Sequence, residues 1–574
     1  MNNFFKLNRI LLQILFFFIF TPNISLNAVE KIYKGESLSN YFSGLIALND
    51  NQHKESYNFL KGLEDLESSH SKYSKYYIET LINNSKINEA FRYATKIKKQ
   101  KINFFQSDLI IITKLIKNEK FEKAYTILNS WDSSKHNSLQ DLVYKIIKGW
   151  VTTEKYSLDY DQAKEVFKFD TRYQNINKIN DVFLNCYFDT PQTKFKFQNL
   201  IDDKSADFSR YTYFYINKLL EKNLKKEATV ILDQKLRKVP RNLLLNQLKL
   251  DLISEKRNHL KNNFDCKNVS HVIAELFYIT ANALSTRSIY SLSNYYVNLA
   301  KYLNQNFFSY STLLAENFVM KGNYERAKEI YLVIKRSGEI YSWHSSKQVA
   351  LLELQNNKTN EALNVMQSSY NNLSNPNLYQ TYDFASFLKN NEKFKKSIKY
   401  YSIVLDQISN SHNLYPKAKD GRGIAYERTN QWQKAEIDFL DSLKANPSQA
   451  YVINYLAYSW IEKGIKIEKS LKMLEKANEL KSNDGYITDS LGWALYKLKR
   501  YDKAEIYLQK AVQLMPSDPI VNDHFADILW MNGKKIQARY YWEYVLNLKE
   551  TESELKNKIY TKILNGPSSK ISEN

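Results

Sequence analysis

Few residues in this chain are placed to do chemistry. The eight histidines are scattered and lack any ligand spacing, so no metal site is expected. Glycines are isolated, which leaves no loop to cradle a phosphate. Asn522-Asp523-His524 is the cluster most like an acid–base centre. Such a centre needs a nucleophile or a partner at defined spacing, and none accompanies it. The tripeptide, like Asp489, therefore reads as helix surface. Cys186 and Cys266 could pair in an oxidising compartment, but two cysteines so far apart make no framework, and the residues favour two buried thiols. Neither catalytic residues nor a cofactor are expected, and the chain does not read as an enzyme.

What stands out instead is a surplus of aromatic side chains. Tyr486, Asp489, Trp493 and Tyr496 follow one another at steps of three, four and three, which places them on one side of a helix. The opposite side already carries Leu491 and Leu498. The preceding segment repeats the pattern with Tyr451, Asn454, Tyr458 and Ile461, and the following one with Ile520, Asp523, Asp527 and Trp530. Side by side, these would form an aromatic wall flanked by carboxylates, suited to a peptide segment. The competing reading is that the aromatics pack between adjacent helices. Truncating a buried Trp costs about 3–5 kcal/mol of stability. A Trp lining an open groove would instead cost binding.

The elements that position this wall recur. With 13 Gly and 9 Pro among 574 residues, turn-forming residues are too few for a sheet protein, so helix dominates. A small residue followed four positions later by a bulky one returns at steps of about 34 residues. The pairs include Ser56/Leu60, Ala90/Ala94, Ala124/Leu128, Ala163/Phe167, Ala228/Leu232, Ala327/Tyr331, Ala362/Met366, Ser397/Tyr401, Ala435/Phe439, Ser470/Leu474, Ala504/Leu508 and Ala538/Trp542. Two helices of about four turns with two short connections use this length. The small residue marks where the paired helices approach, and the bulky one fills the space beside it. Thr488-x2-Leu491-Gly492-x2-Leu495, then Ala504-x3-Leu508 and Pro516, resembles the tetratricopeptide repeat signature.

That resemblance implies an all-α fold of helix-turn-helix repeats stacked into a right-handed solenoid, with first helices lining a concave groove and second helices facing outward. Residues 29–168 read as N-terminal repeats and 208–550 as a C-terminal array. Between them, 169–207 lacks a clear repeat and reads as a degenerate unit or a bend between two superhelical segments; 241–272 is similarly blurred. A capping helix is expected over 551–565, then a polar tail over 566–574.

Lys6 and Arg9 precede an apolar run from Ile10 to Phe20 and a small residue at Ala28, the pattern of a secretory leader over 1–28. The run is too short for a span of about 20 residues, so no transmembrane segment is expected in the mature chain. No cysteine follows it, so a lipid anchor is not encoded. The expected compartment is the bacterial periplasm. The net charge of +21 reads as a solvated Lys-rich surface. Basic residues are spread and no nucleic-acid module is present, so nucleic acid is not an expected partner. The C-terminal run is similar to bacterial envelope repeat proteins, whose relatives include lipoprotein adaptors of carboxy-terminal processing proteases. This implies a scaffold holding a protein or peptide, with an envelope protease or cell-wall enzyme as the partner class. The Lys and Asn clamp of chaperone-binding repeats is not reproduced. Because aromatic walls also stack on sugar rings, glycan handling is the alternative.

Overall fold

The computed structural model describes residues 35–567 except 51, 64–65, 68–69, 71, 131–136, 168–172 and 255–262. The expected leader and the tail from 568 lie outside the described residues. The fold is all-α, with no strand among the described residues. No helix among them is long and apolar enough to cross a membrane. The chain forms two compact units, Met1–Gln348 and Val349–Asn574.

The first unit opens with four helix pairs: α1 (Gly35–Asn49) and α2 (His53–Leu60), α3 (Tyr73–Asn83) and α4 (Ile87–Lys99), α5 (Phe105–Lys117) and α6 (Phe121–Asn129), α7 (Ser138–Lys155) and α8 (Tyr160–Val166). Next come α9 (Gln174–Tyr187) with α10 (Thr193–Asp202), α11 (Ser209–Glu221) with α12 (Lys225–Lys238), and α13 (Leu243–Ile253). The pairs α14 (Val269–Ser285) with α15 (Tyr290–Leu303), and α16 (Tyr310–Met320) with α17 (Tyr324–Ile334), follow. Helix α18 (Glu339–Gln355) carries the chain from the first unit into the second, which continues with α19 (Thr359–Asn371). The second unit then stacks α20 (Leu378–Asn390) with α21 (Phe394–Asp406), α22 (Tyr415–Glu427) with α23 (Trp432–Ala445), and α24 (Ala450–Glu462) with α25 (Ile467–Leu480). Its last pairs are α26 (Gly485–Lys497) with α27 (Tyr501–Leu514) and α28 (Pro519–Met531) with α29 (Lys535–Asn547), closed by α30 (Ser553–Asn565).

The small residues of the repeat sit where expected. Ala90, Ala124, Ala327, Ala362, Ala435, Ala504 and Ala538 are all fully buried. A Cβ on Gly492 would lie 2.6 Å from Leu508 Cγ, so glycine there lets α26 approach α27. At three serine positions of the repeat the hydroxyl takes up a carbonyl of the partner helix, whereas the buried Ser470 Oγ has no hydrogen-bond partner among the described residues. Ser56 donates to Gly44 O at 2.9 Å, Ser293 to Ala281 O at 2.8 Å and Ser397 to Ala385 O at 3.0 Å. The turn after most first helices passes through a left-handed residue, as at Gly322, Asn357, Glu392, Asn430, Gly464, Lys499 and Gly533. First helices are capped by Asn377, Asp484 and Asp518, whose side chains accept backbone N–H groups.

The stretch over 169–207 holds an ordinary helix pair, α9 and α10. Its turn has the left-handed Asp189, and Thr193 with Phe197 takes the small-then-bulky places. The division into compact units falls at Gln348, away from this stretch.

In the first unit the later helices fold back on the earlier ones. α15 packs against α3 and α5, and α14 against α5 and α7. Tyr295 donates to Gln106 O at 3.1 Å, and Lys117 caps the C-terminus of α15 by donating to Leu303 O at 2.8 Å. Cys186 of α9 is disulfide-bonded to Cys266, just before α14, with Cα atoms 5.9 Å apart. This corrects the expectation of two buried thiols. Their proximity follows from the return of α14 onto α7 and α9, which local pattern does not encode.

Candidate functional site

The expected groove residues lie on α24, α26 and α28, three consecutive first helices of the second unit, and they form layers. The outer layer is Tyr451, Tyr486 and Ile520, exposed at 55%, 56% and 45%. Tyr451 donates to Asp484 Oδ2 at 2.9 Å and accepts from Lys481 Nζ at 3.0 Å. Asn454, Tyr458, Tyr496 and Trp530 are half-buried. The Oδ1 atom of Asn454 has no hydrogen-bond partner among the described residues.

Asp489, Trp493, Asp523 and Asp527 are buried. The indole of Trp493 lies between two parallel rings: Tyr496, centroid 4.6 Å away, and His524 on the next first helix, 3.9 Å away. Its Nε1–H donates to Glu462 on the preceding first helix at 2.7 Å. Trp493 therefore stitches three repeats together, as the packing alternative required. His524 Nδ1 lies 3.0 Å from both carboxylate oxygens of Asp489. Asn522, Asp523 and His524 are thus interior rather than helix surface. The correction has a simple cause: their side of α28 meets α26 and α30 rather than water.

The last layer repeats this logic with a different cation. Lys562 of α30 donates to both oxygens of Asp523 and to Asp527 Oδ2, each at 2.8 Å. Trp542 Nε1–H donates to Asp523 at 3.0 Å. Gly566 abuts the Trp530 ring, and Arg539 donates to Ile563 O at 3.0 Å. The capping helix thereby closes the end of the array and neutralises carboxylates that another first helix would otherwise have to face.

These contacts set the charge states. Burial disfavours the His524 imidazolium, but Asp489 outweighs it, aided by Asp523 and Asp527, and raises the pKa above its ordinary value. Burial raises the Asp527 carboxyl to about 6; Asp523 adds to the shift, against Lys562. Burial likewise opposes the Lys562 charge, yet Asp527 and Asp523 raise its pKa. The Asp489–His524 dyad is buried, with its imidazole stacked on Trp493, so the arrangement locks helices together. Glu462, His524, Trp542 and Lys562 are the partners that sequence reasoning missed. The available signal was a cation about one repeat after a carboxylate in two cases, His524 after Asp489 and Lys562 after Asp523.

A tetratricopeptide repeat family model matches residues 309–551. A TPR repeat-containing protein of Pseudomonas aeruginosa is 27% identical over 136 residues, 24% of this chain; the match spans about a fifth (22%) of that relative's length. Among solved structures, the APC/C hetero-tetramer Cut9-Hcn1 matches at TM-score 0.36 and 13% identity, covering 92% of this chain and 97% of that one. YrrB, described as a TPR protein with an unusual peptide-binding site, matches at TM-score 0.27 and 15% identity, covering 34% of this chain and 97% of that one. Helix pairs at a period of about 34 residues, small residues at their contacts and the family match over 309–551 lead to one assignment: the chain is an all-α stack of helix pairs that carries tetratricopeptide repeats over 309–551.

Proposed function

We propose that the protein is an exported, non-enzymatic scaffold that holds a protein or peptide partner along the first helices of its second unit. The observation that carries this reading is the outer layer. Tyr451 and Tyr486 occupy matching places on consecutive first helices, and both stand more than half exposed above a buried layer. Large aromatics on a rigid base offer contact area with little entropy to lose, as interface anchors do. The half-buried Tyr458, Tyr496 and Trp530 extend this surface. Export is supported by the leader-like pattern over 1–28 and by the Cys186–Cys266 disulfide, which suits an oxidising compartment such as the periplasm. An envelope protease or cell-wall enzyme remains the partner class that the resemblance suggests.

The test is photo-crosslinking in cells from three positions. A crosslinker at Tyr451 or Tyr486 should trap one common protein. One at Ile506, exposed on the second helix α27, should not. The same products from all three positions, or none from either tyrosine, would remove the first-helix surface as the binding face.

A further inference from the structure

The first unit contains a cavity of about 480 Å³ that the second unit's aromatic surface does not explain. It opens between the starts of α11 and α13 and one side of α14, with α16 and α18 completing its wall. Its floor is a fixed ion pair. Arg210 donates from Nε to Glu275 Oε1 at 2.6 Å and from Nη2 to Oε2 at 2.9 Å. The guanidinium is held between Tyr278, 4.0 Å from the ring centroid, and Phe307, 4.4 Å away. A bidentate pair clamped between two rings cannot swing out to meet a ligand, so its charges cancel where they stand.

The remaining charged group on the lining is Asp207, which already accepts from Ser209 N at 2.9 Å and from the Ser209 hydroxyl. An anionic ligand would meet this carboxylate with no unpaired cation on the lining to offset it. The rest of the wall alternates amides and hydroxyls, such as Asn242, Asn282 and Thr312, with aliphatic Leu243 and Ile279. The Tyr278 hydroxyl and the Asn282 amide form no side-chain hydrogen bond with other described residues, yet both line the space. Asn242 uses its Oδ1 to cap α13, accepting from Leu245 N at 3.0 Å, which leaves its NH₂ to donate.

We propose that this cavity binds a neutral sugar of one or two rings. Sugar rings present hydroxyl edges and C–H faces together, which is what alternating amide and aliphatic lining accommodates, and the volume falls within the usual range for small ligands. The inference is independent of the partner surface on the second unit.

Titration calorimetry on the full oxidised chain tests it, using glucose, maltose, N-acetylglucosamine and its β-1,4-linked disaccharide as probes. An acidic sugar and an unstructured peptide serve as comparison ligands. At least one neutral sugar should bind at a single site with Kd of about 1 mM or tighter. The paired change Tyr278→Phe with Asn282→Ala should weaken it about ten-fold, as losing two neutral hydrogen bonds implies, at unchanged melting temperature. Thr312→Val is a second variant, for use if the pair perturbs folding. No binding by any neutral sugar, equal binding by the variants, or tighter binding of the acidic sugar or the peptide would each overturn the proposal.

Discussion

At the scale of single residues, the aromatic surplus divides into two jobs according to depth. Trp493 is buried between Tyr496 and His524, so Trp493→Ala should cost about 3–5 kcal/mol and lower the melting temperature of the second unit. Tyr486→Ala, at an exposed site, should change stability by no more than about 0.5 kcal/mol. Chemical denaturation of both variants checks the contrast. The period-3.6 pattern places Tyr486, Trp493 and Tyr496 on one side of their helix. It could not rank their depth, because burial here depends on how far the next first helix overlaps the wall. That distance is a property of repeat stacking and leaves no mark on one helix's own periodicity.

Asp527 carries a pH prediction of its own. Its folded pKa of about 6 lies above the ordinary value of 3.8, so the folded state holds the proton more tightly than the unfolded chain. The stabilisation is complete below about 4 and is lost as pH rises through about 6, at most on the order of 3 kcal/mol. Asp527→Asn cannot titrate, so its stability should fall less than the wild type's over this window. Urea midpoints at several pH values give the comparison. Parallel curves for the two proteins would assign the proton elsewhere.

At the scale of elements, the termination of the array depends on one lysine. Lys562→Met would keep an unbranched, similarly long side chain but leave Asp523 and Asp527 buried without their counter-charge, at a cost of about 3–5 kcal/mol. Adding Asp523→Asn and Asp527→Asn should recover much of this loss, and a thermal-melt comparison of the three proteins reads it directly. The last helix, Ser553–Asn565, covers the stretch where Leu555, Ile559 and Ile563 recur at helical spacing before Asn565-Gly566-Pro567. The pair α9–α10 was not legible. Thr193 stands where alanine or serine stands in most other repeats, and the short α10 offers little amphipathic pattern. Its helix-helix turn still passes through a left-handed residue, Asp189, so the backbone repeats where the side-chain signature fades.

At the scale of the whole molecule, the same repeat is used in two ways. In the second unit the first helices keep an exposed aromatic row. In the first, α14 and α15 cover the first helices of earlier pairs, and the Cys186–Cys266 bond secures that return. The disulfide closes a loop of 80 residues, which the chain-entropy account values at about 4.5 kcal/mol. Stacked repeats draw their stability from nearest neighbours, so a loss in one stretch of the array need not spread through it. Reduction, or Cys186→Ser with Cys266→Ser, should therefore speed amide exchange in α14 and α15 and in the faces of α3, α5 and α7 that they cover, while α24 to α30 exchange as before. Trp493→Ala should give the converse pattern. Hydrogen-exchange mass spectrometry resolves both sets of helices in one experiment. Acceleration of both sets on reduction alone would mean that the two units unfold as one cooperative block, and the scaffold row could then be tuned by the redox state of a disulfide outside it.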